Sequence, residues 1–149
     1  MAAKHRAKWW IVTTHVLTTG FAMPFIATIV GAILCGLLGL GGSIPGYLFY
    51  LGFRAVGYIG GTYYSLAYLK KSAISSDWVG CTVPSIIGFV TFALLGLAAS
   101  IIQVLYGSGL IYEVLGLVVF YVVVIAAFVK VTSDGFRALQ NQAQSLVVG

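Results

Sequence analysis

From Trp9 onward the chain is a succession of long apolar runs, with the charged residues gathered mostly between them. The first run, 9–40, has no formal charge and contains Gly20 and Pro24. It is too long for one ordinary crossing of about 20 residues. The pattern predicts a short interfacial helix over 9–19, anchored by Trp9 and Trp10, and then a membrane span over 22–40. One long helix kinked at Pro24 is the other solution. The glycine-rich stretch 39–46 reads as a tight turn. Phosphate-cradling loops need a strand before them and a helix after, and this stretch joins two apolar runs.

The second run, 45–69, is apolar except for Arg54 and stops at Lys70 and Lys71. Tyrosines lie near both of its ends, where membrane interfaces select amphipathic rings. Ser76 or Asp77 suits the N-cap of the next helix, and Trp78 anchors it. The third run, 79–106, carries Pro84 in its first turns, where proline is tolerated best. Gly107, Ser108 and Gly109 form a turn. The fourth run, 110–129, stops at Lys130. In the tail, 132–149, Phe136, Leu139, Ala143 and Leu146 recur at helical spacing. That predicts a cytoplasmic amphipathic tail lying on the membrane surface or on a partner.

These elements predict an all-α integral membrane protein, a four-transmembrane-helix bundle forming a single membrane domain over 1–149. Four spans with both termini inside place seven of the eight basic residues on the cytoplasmic side and leave only Arg54 over. The positive-inside rule supports that topology, N-in and C-in, in a bacterial inner (plasma) membrane. The basic start, Lys4 to Lys8, followed by an apolar run resembles a signal sequence, but no convincing cleavage site follows, so it reads as retained.

Two stripes of small residues recur every four positions. Ala27, Gly31, Cys35 and Gly39 form one, and Gly57, Gly61 and Ser65 the other. Such stripes let helix backbones approach closely, so these residues are candidates for helix packing. A shift of 60 residues lays Gly20 on Gly80, Pro24 on Pro84 and Lys70 on Lys130. A duplicated helical hairpin, a parallel repeat, is one reading. Shared membrane composition is the other.

Composition removes several function classes. The chain is 60% hydrophobic and 7% charged, far below the roughly 25% charged residues of a soluble domain. A net charge of +5 would suggest nucleic acid in a soluble protein. Here the cations end apolar runs, so the expected partners are the lipid bilayer and other membrane subunits or further copies of the chain, and no nucleic acid. Three acidic residues leave almost no acid–base chemistry, and no catalytic motif is present. The chain reads as no enzyme. Cys35 and Cys81 fall at different depths and should not pair.

Two features carry candidate chemistry. His15 sits in an apolar segment, where an imidazole can ligate haem or a chlorophyll-type pigment. One histidine without a partner is more simply an interfacial side chain, so the default is no cofactor and no metal. Arg54 and Glu113 are the formal charges placed inside spans, and intramembrane charges default to functional hypotheses. They read as an intramembrane charge pair, or as Arg54 snorkelling outward with Glu113 at the interface. The favoured function is a non-catalytic interaction or accessory subunit of a membrane complex or homo-oligomer. The alternatives are a small homo-oligomeric transporter or channel, and a haem- or pigment-binding subunit through His15.

Overall fold

Pro24 does not end the first helix. The computed structural model describes residues 2–72 and 77–149, with side chains for 8–71 and 77–149. The side chains of Lys4, His5 and Arg6 and the expected cap Ser76 lie outside them. Helix α1 (Ala2–Leu17) runs through a π turn (Thr18–Ala22) into α2 (Met23–Leu37) without leaving helical backbone. Proline lacks an N–H, and its ring collides with the carbonyl four residues back, here that of Gly20. One wider turn accommodates it, with Met23 N–H bonded to Thr18 O, five residues back. The separate interfacial helix expected over 9–19 is therefore absent, and the span expected over 22–40 is the upper part of one rod that stops at Leu37.

The turn that follows needs glycine at Gly39 (φ 66°) and Gly42 (φ 73°). Ser43 then caps α3 (Ile44–Ser72). Its hydroxyl donates to Leu40 O at 2.6 Å and accepts from Gly46 N at 3.1 Å. Asp77 plays the same part for the next rod, its Oδ1 accepting from Gly80 N at 3.1 Å. A single 3-10 turn (Val79–Cys81) leads into α4 (Thr82–Tyr106). Gly109 (φ 65°) turns the chain into α5 (Ile111–Val148), 38 residues long. The tail expected on the membrane surface instead continues α5 as helix. Phe136, Leu139 and Ala143 pack against a core of Ile11, Val16, Leu69 and Trp78, while Leu146 is exposed.

All described residues are helix, turn or coil, and the four rods alternate in direction. Lys8 meets Asp77 at 3.9 Å and Trp78 N donates to Gln140 at 2.8 Å, so those segments share one end, here the basic end. Tyr47 donates to Glu113 O at 3.2 Å at the opposite, turn end. Among the described residues three helices are long and apolar enough to cross a membrane, over Lys8–Leu37, Val79–Tyr106 and Ile111–Val148. Helix α3 is not among them. Its tyrosines, glycines and Arg54 lower its hydropathy.

The rods are not equally close along their lengths. At the basic end α1 packs on α3 and α4. Past the π turn α2 stays with α3 and α4 stays with α5, and among the described residues no Cα of α2 comes within 8 Å of one of α4. The bundle is tied at one end and parted at the other. The two prolines that suggest a duplicated hairpin sit differently, Pro24 midway along a rod and Pro84 in the first turn of α4.

Candidate functional site

Where α2 and α4 part, a cleft of about 680 Å³ opens between them. Its walls are mainly apolar, including Phe21, Pro24 and Phe25 on one side and Phe92, Leu95 and Ala99 on the other. Arg54, Ser100 and Gln103 bring polar groups to it. A second cavity of about 250 Å³, toward the turn end, is lined by Tyr47, Tyr50, Arg54, Ser100, Ser108 and Glu113, among others. Arg54 faces both spaces.

Arg54 lies ten residues into α3, roughly 15 Å from its start at 1.5 Å per residue. Its guanidinium donates from Nη1 to Ser100 Oγ at 3.2 Å and from Nη2 to Tyr121 Oη at 2.6 Å. The guanidinium carbon sits 5.5 Å from the centre of the Tyr121 ring. Ser100 donates its own hydroxyl hydrogen bond to Gly96 O at 2.8 Å, so its oxygen is free to accept. Gly96 is needed there, because a Cβ on it would stand 2.8 Å from the Tyr121 hydroxyl. These contacts orient the cation. They do not neutralise it.

The expected charge pair is not formed. Among the described residues no ion pair joins Arg54 to Glu113. Glu113 lies in the first turn of α5 and accepts a hydrogen bond from Ser108. The two residues share the smaller cavity as separate opposite charges. Sequence reasoning found both but missed Ser100, Gln103 and Tyr121. Ser100 and Gln103 leave a faint signal, two polar residues three apart on one face of an apolar run.

Toward the basic end the bundle is closed below Arg54. Tyr58 meets Phe89 and Tyr121 edge to face, and Phe89 stacks on Phe128 at 3.8 Å. His15 lies beyond, fully buried. Its Nδ1 is 2.8 Å from the Ser65 hydroxyl and its Nε2 is 2.9 Å from the Thr132 hydroxyl. A neutral imidazole offers one donor and one acceptor, and a hydroxyl answers either. Phe128 and Phe136 pack on the ring at 5.3 and 5.1 Å. The burial corrects the expectation of an interfacial side chain, and with both nitrogens engaged inside the bundle neither is presented to haem or pigment. His15 ties α1 to α3 and α5. The nearby levels also bury the hydroxyls of Thr19 and Ser85 without a hydrogen-bond partner among the described residues.

The small residues act mostly inside the chain. A Cβ on Gly57 would stand 2.7 Å from Ala27 Cβ and 2.8 Å from Pro24 Cα. On Gly61 it would meet Met23 Cβ at 2.8 Å, and on Gly31 it would meet Phe53 Cβ at 2.9 Å. Ser65 belongs to the His15 cluster. Cys35 donates to Gly46 O at 3.3 Å. Gly39 is the exception, since it has left the helix and a Cβ on it would meet nothing within 4 Å. Cys35 and Cys81 are both free thiols. Among the described residues no group of three or more His, Cys, Asp or Glu comes together to hold a metal. No family model, curated protein or solved structure matches the chain.

Proposed function

We propose that the chain is a small, non-catalytic membrane transport protein whose solute places an anionic group on Arg54. The observation that carries this reading is a half-buried cation partway along the bundle, with no carboxylate partner among the described residues and with open space on two sides. A charge at mid-membrane costs about 2.5–3.5 kcal/mol on insertion scales, and such residues mark substrate pathways. In this reading α3 crosses the membrane as a fourth span. The basic end faces the cytoplasm of a bacterial plasma membrane, by the positive-inside rule. The layer of Tyr58, Phe89 and Phe128 is then the closed side of the pathway, and the cleft above it the open side.

A second reading, a packing subunit of a larger membrane assembly, is favoured by the outward face of α3. Gly52 and Gly60 have open space where a Cβ would point, and Val56, Tyr63 and Tyr64 beside them are exposed. Close approach of another helix suits such a face. Purification from the native membrane separates the two readings. Transport function predicts a bound molecule that carries an anionic group, present in the wild type and lost in Arg54→Gln. A stoichiometric protein partner, with nothing in the cleft that depends on Arg54, would overturn it in favour of the subunit.

A further inference from the structure

Arg54 and Glu113 face one cavity as a cation and an anion that form no ion pair among the described residues, and that separation says what kind of head group fits between them. A simple anion would gain from Arg54 but be repelled by Glu113. A simple cation would suffer the reverse. A dipolar group satisfies both. Tyr47 and Tyr50 stand in the same cavity as Glu113, and aromatic faces with a carboxylate are what an ammonium group selects. Arg54 keeps donors beyond the two it gives to Ser100 and Tyr121, and a planar guanidinium suits phosphate oxygens.

The larger cleft specifies the rest of the molecule. It opens sideways where α2 and α4 part, and its apolar walls include Phe21, Phe25 and Leu95, all exposed on the outside of the bundle. Past Phe92, a side chain common to both, lies a second apolar groove of about 460 Å³ between α1 and α4. An apolar track therefore leads away from Arg54 along the flank of the bundle. We infer that the occupant is a membrane lipid with a zwitterionic aminophosphate head group. Its phosphate rests on Arg54, its ammonium lies toward Glu113 and Tyr47, and its acyl chain lies in the cleft between α2 and α4. The lipid enters from the bilayer. This inference rests on the proposed role of Arg54 and adds the identity of the solute.

The test uses the full chain, delipidated in a neutral detergent, with the thermal shift read against added lysolipids. Lysophosphatidylethanolamine should stabilise the wild type at lower concentration than lysophosphatidylglycerol of the same chain length. Arg54→Gln should weaken both by about tenfold, the loss of one charge-assisted contact. Glu113→Gln, near the mouth, should weaken only the zwitterion and remove the preference. Leu95→Trp, which narrows the cleft, should weaken both without touching the charges. Equal response to the two lipids with no effect of Glu113→Gln would overturn the zwitterion while leaving Arg54 as an anion site. Indifference to Arg54→Gln would overturn that role as well. Equal stabilisation by soluble glycerophosphoethanolamine would show that the cleft holds no acyl chain and overturn the lipid.

Discussion

Arg54 and Tyr121 share a hydrogen bond and a ring face, whereas Arg54 and Glu113 share only a cavity wall. In delipidated protein, a double-mutant cycle of Arg54→Gln with Tyr121→Phe should show a coupling of about 0.5–3 kcal/mol. The cycle with Glu113→Gln should be additive within about 0.5 kcal/mol. The reverse order of couplings would restore the direct ion pair. At His15 the magnitudes also decide. Hydrogen bonds in membrane bundles average about 0.6 kcal/mol, while emptying a large buried side chain costs about 3–5 kcal/mol. Ser65→Ala should therefore lower unfolding stability only slightly and His15→Ala several-fold more. Similar losses would mean that hydrogen bonding, not packing, holds the cluster. Both residues were legible as anomalies in apolar runs. Their partners were not, because Ser100, Tyr121, Ser65 and Thr132 are ordinary residues in membrane helices and lie 46 to 117 positions away. Opposite charge was the one pairing signal visible in the sequence, and it pointed to Glu113.

The helices carry a sharper contrast, because one helix presents glycines on two faces. Gly57 lies against Ala27 and the backbone of Pro24, whereas Gly52 has open space. Overpacking a filled site costs about 1–3 kcal/mol and sometimes more. Gly57→Leu should destabilise the bundle by at least that much, read by unfolding in detergent, and Gly52→Leu should be tolerated by the isolated chain. Equal effects would mean that α2 does not sit on α3 in this register. Runs of apolar residues made the helices and their order readable. The stripe at Gly57 and Gly61 was readable as a packing face, though not that its partner was α2. The joint at Pro24 was misread because a proline one turn after a glycine, Gly20, signals a break. A π turn absorbs it by shifting hydrogen bonds such as Met23 N–H to Thr18 O, and no composition marks that outcome. The end of the tail was misread for a related reason. Phe136 and Leu139 fit an amphipathic surface helix as well as they fit a helix continued past Lys130 and packed on Trp78.

For the whole molecule, unequal tying of the rods is what creates the site. The π turn marks the level at which the first rod leaves α4, and the space left there is the cleft beside Arg54. His15 and the stacked Phe89 and Phe128 hold the basic end shut. Loosening that end should therefore affect the cleft indirectly, while changing Arg54 should affect its occupant and leave the helices in place. Photo-crosslinking in the intact membrane, with a diazirine on the acyl chain of a zwitterionic phospholipid, tests this most directly. Adducts should concentrate on Phe25, Leu95 and Ala99 in the wild type and fall about tenfold in Arg54→Gln, the loss of one charge-assisted contact. Adducts spread evenly over outward positions such as Val119, Val122 and Val123, and unchanged by Arg54→Gln, would contradict an occupied cleft organised around Arg54.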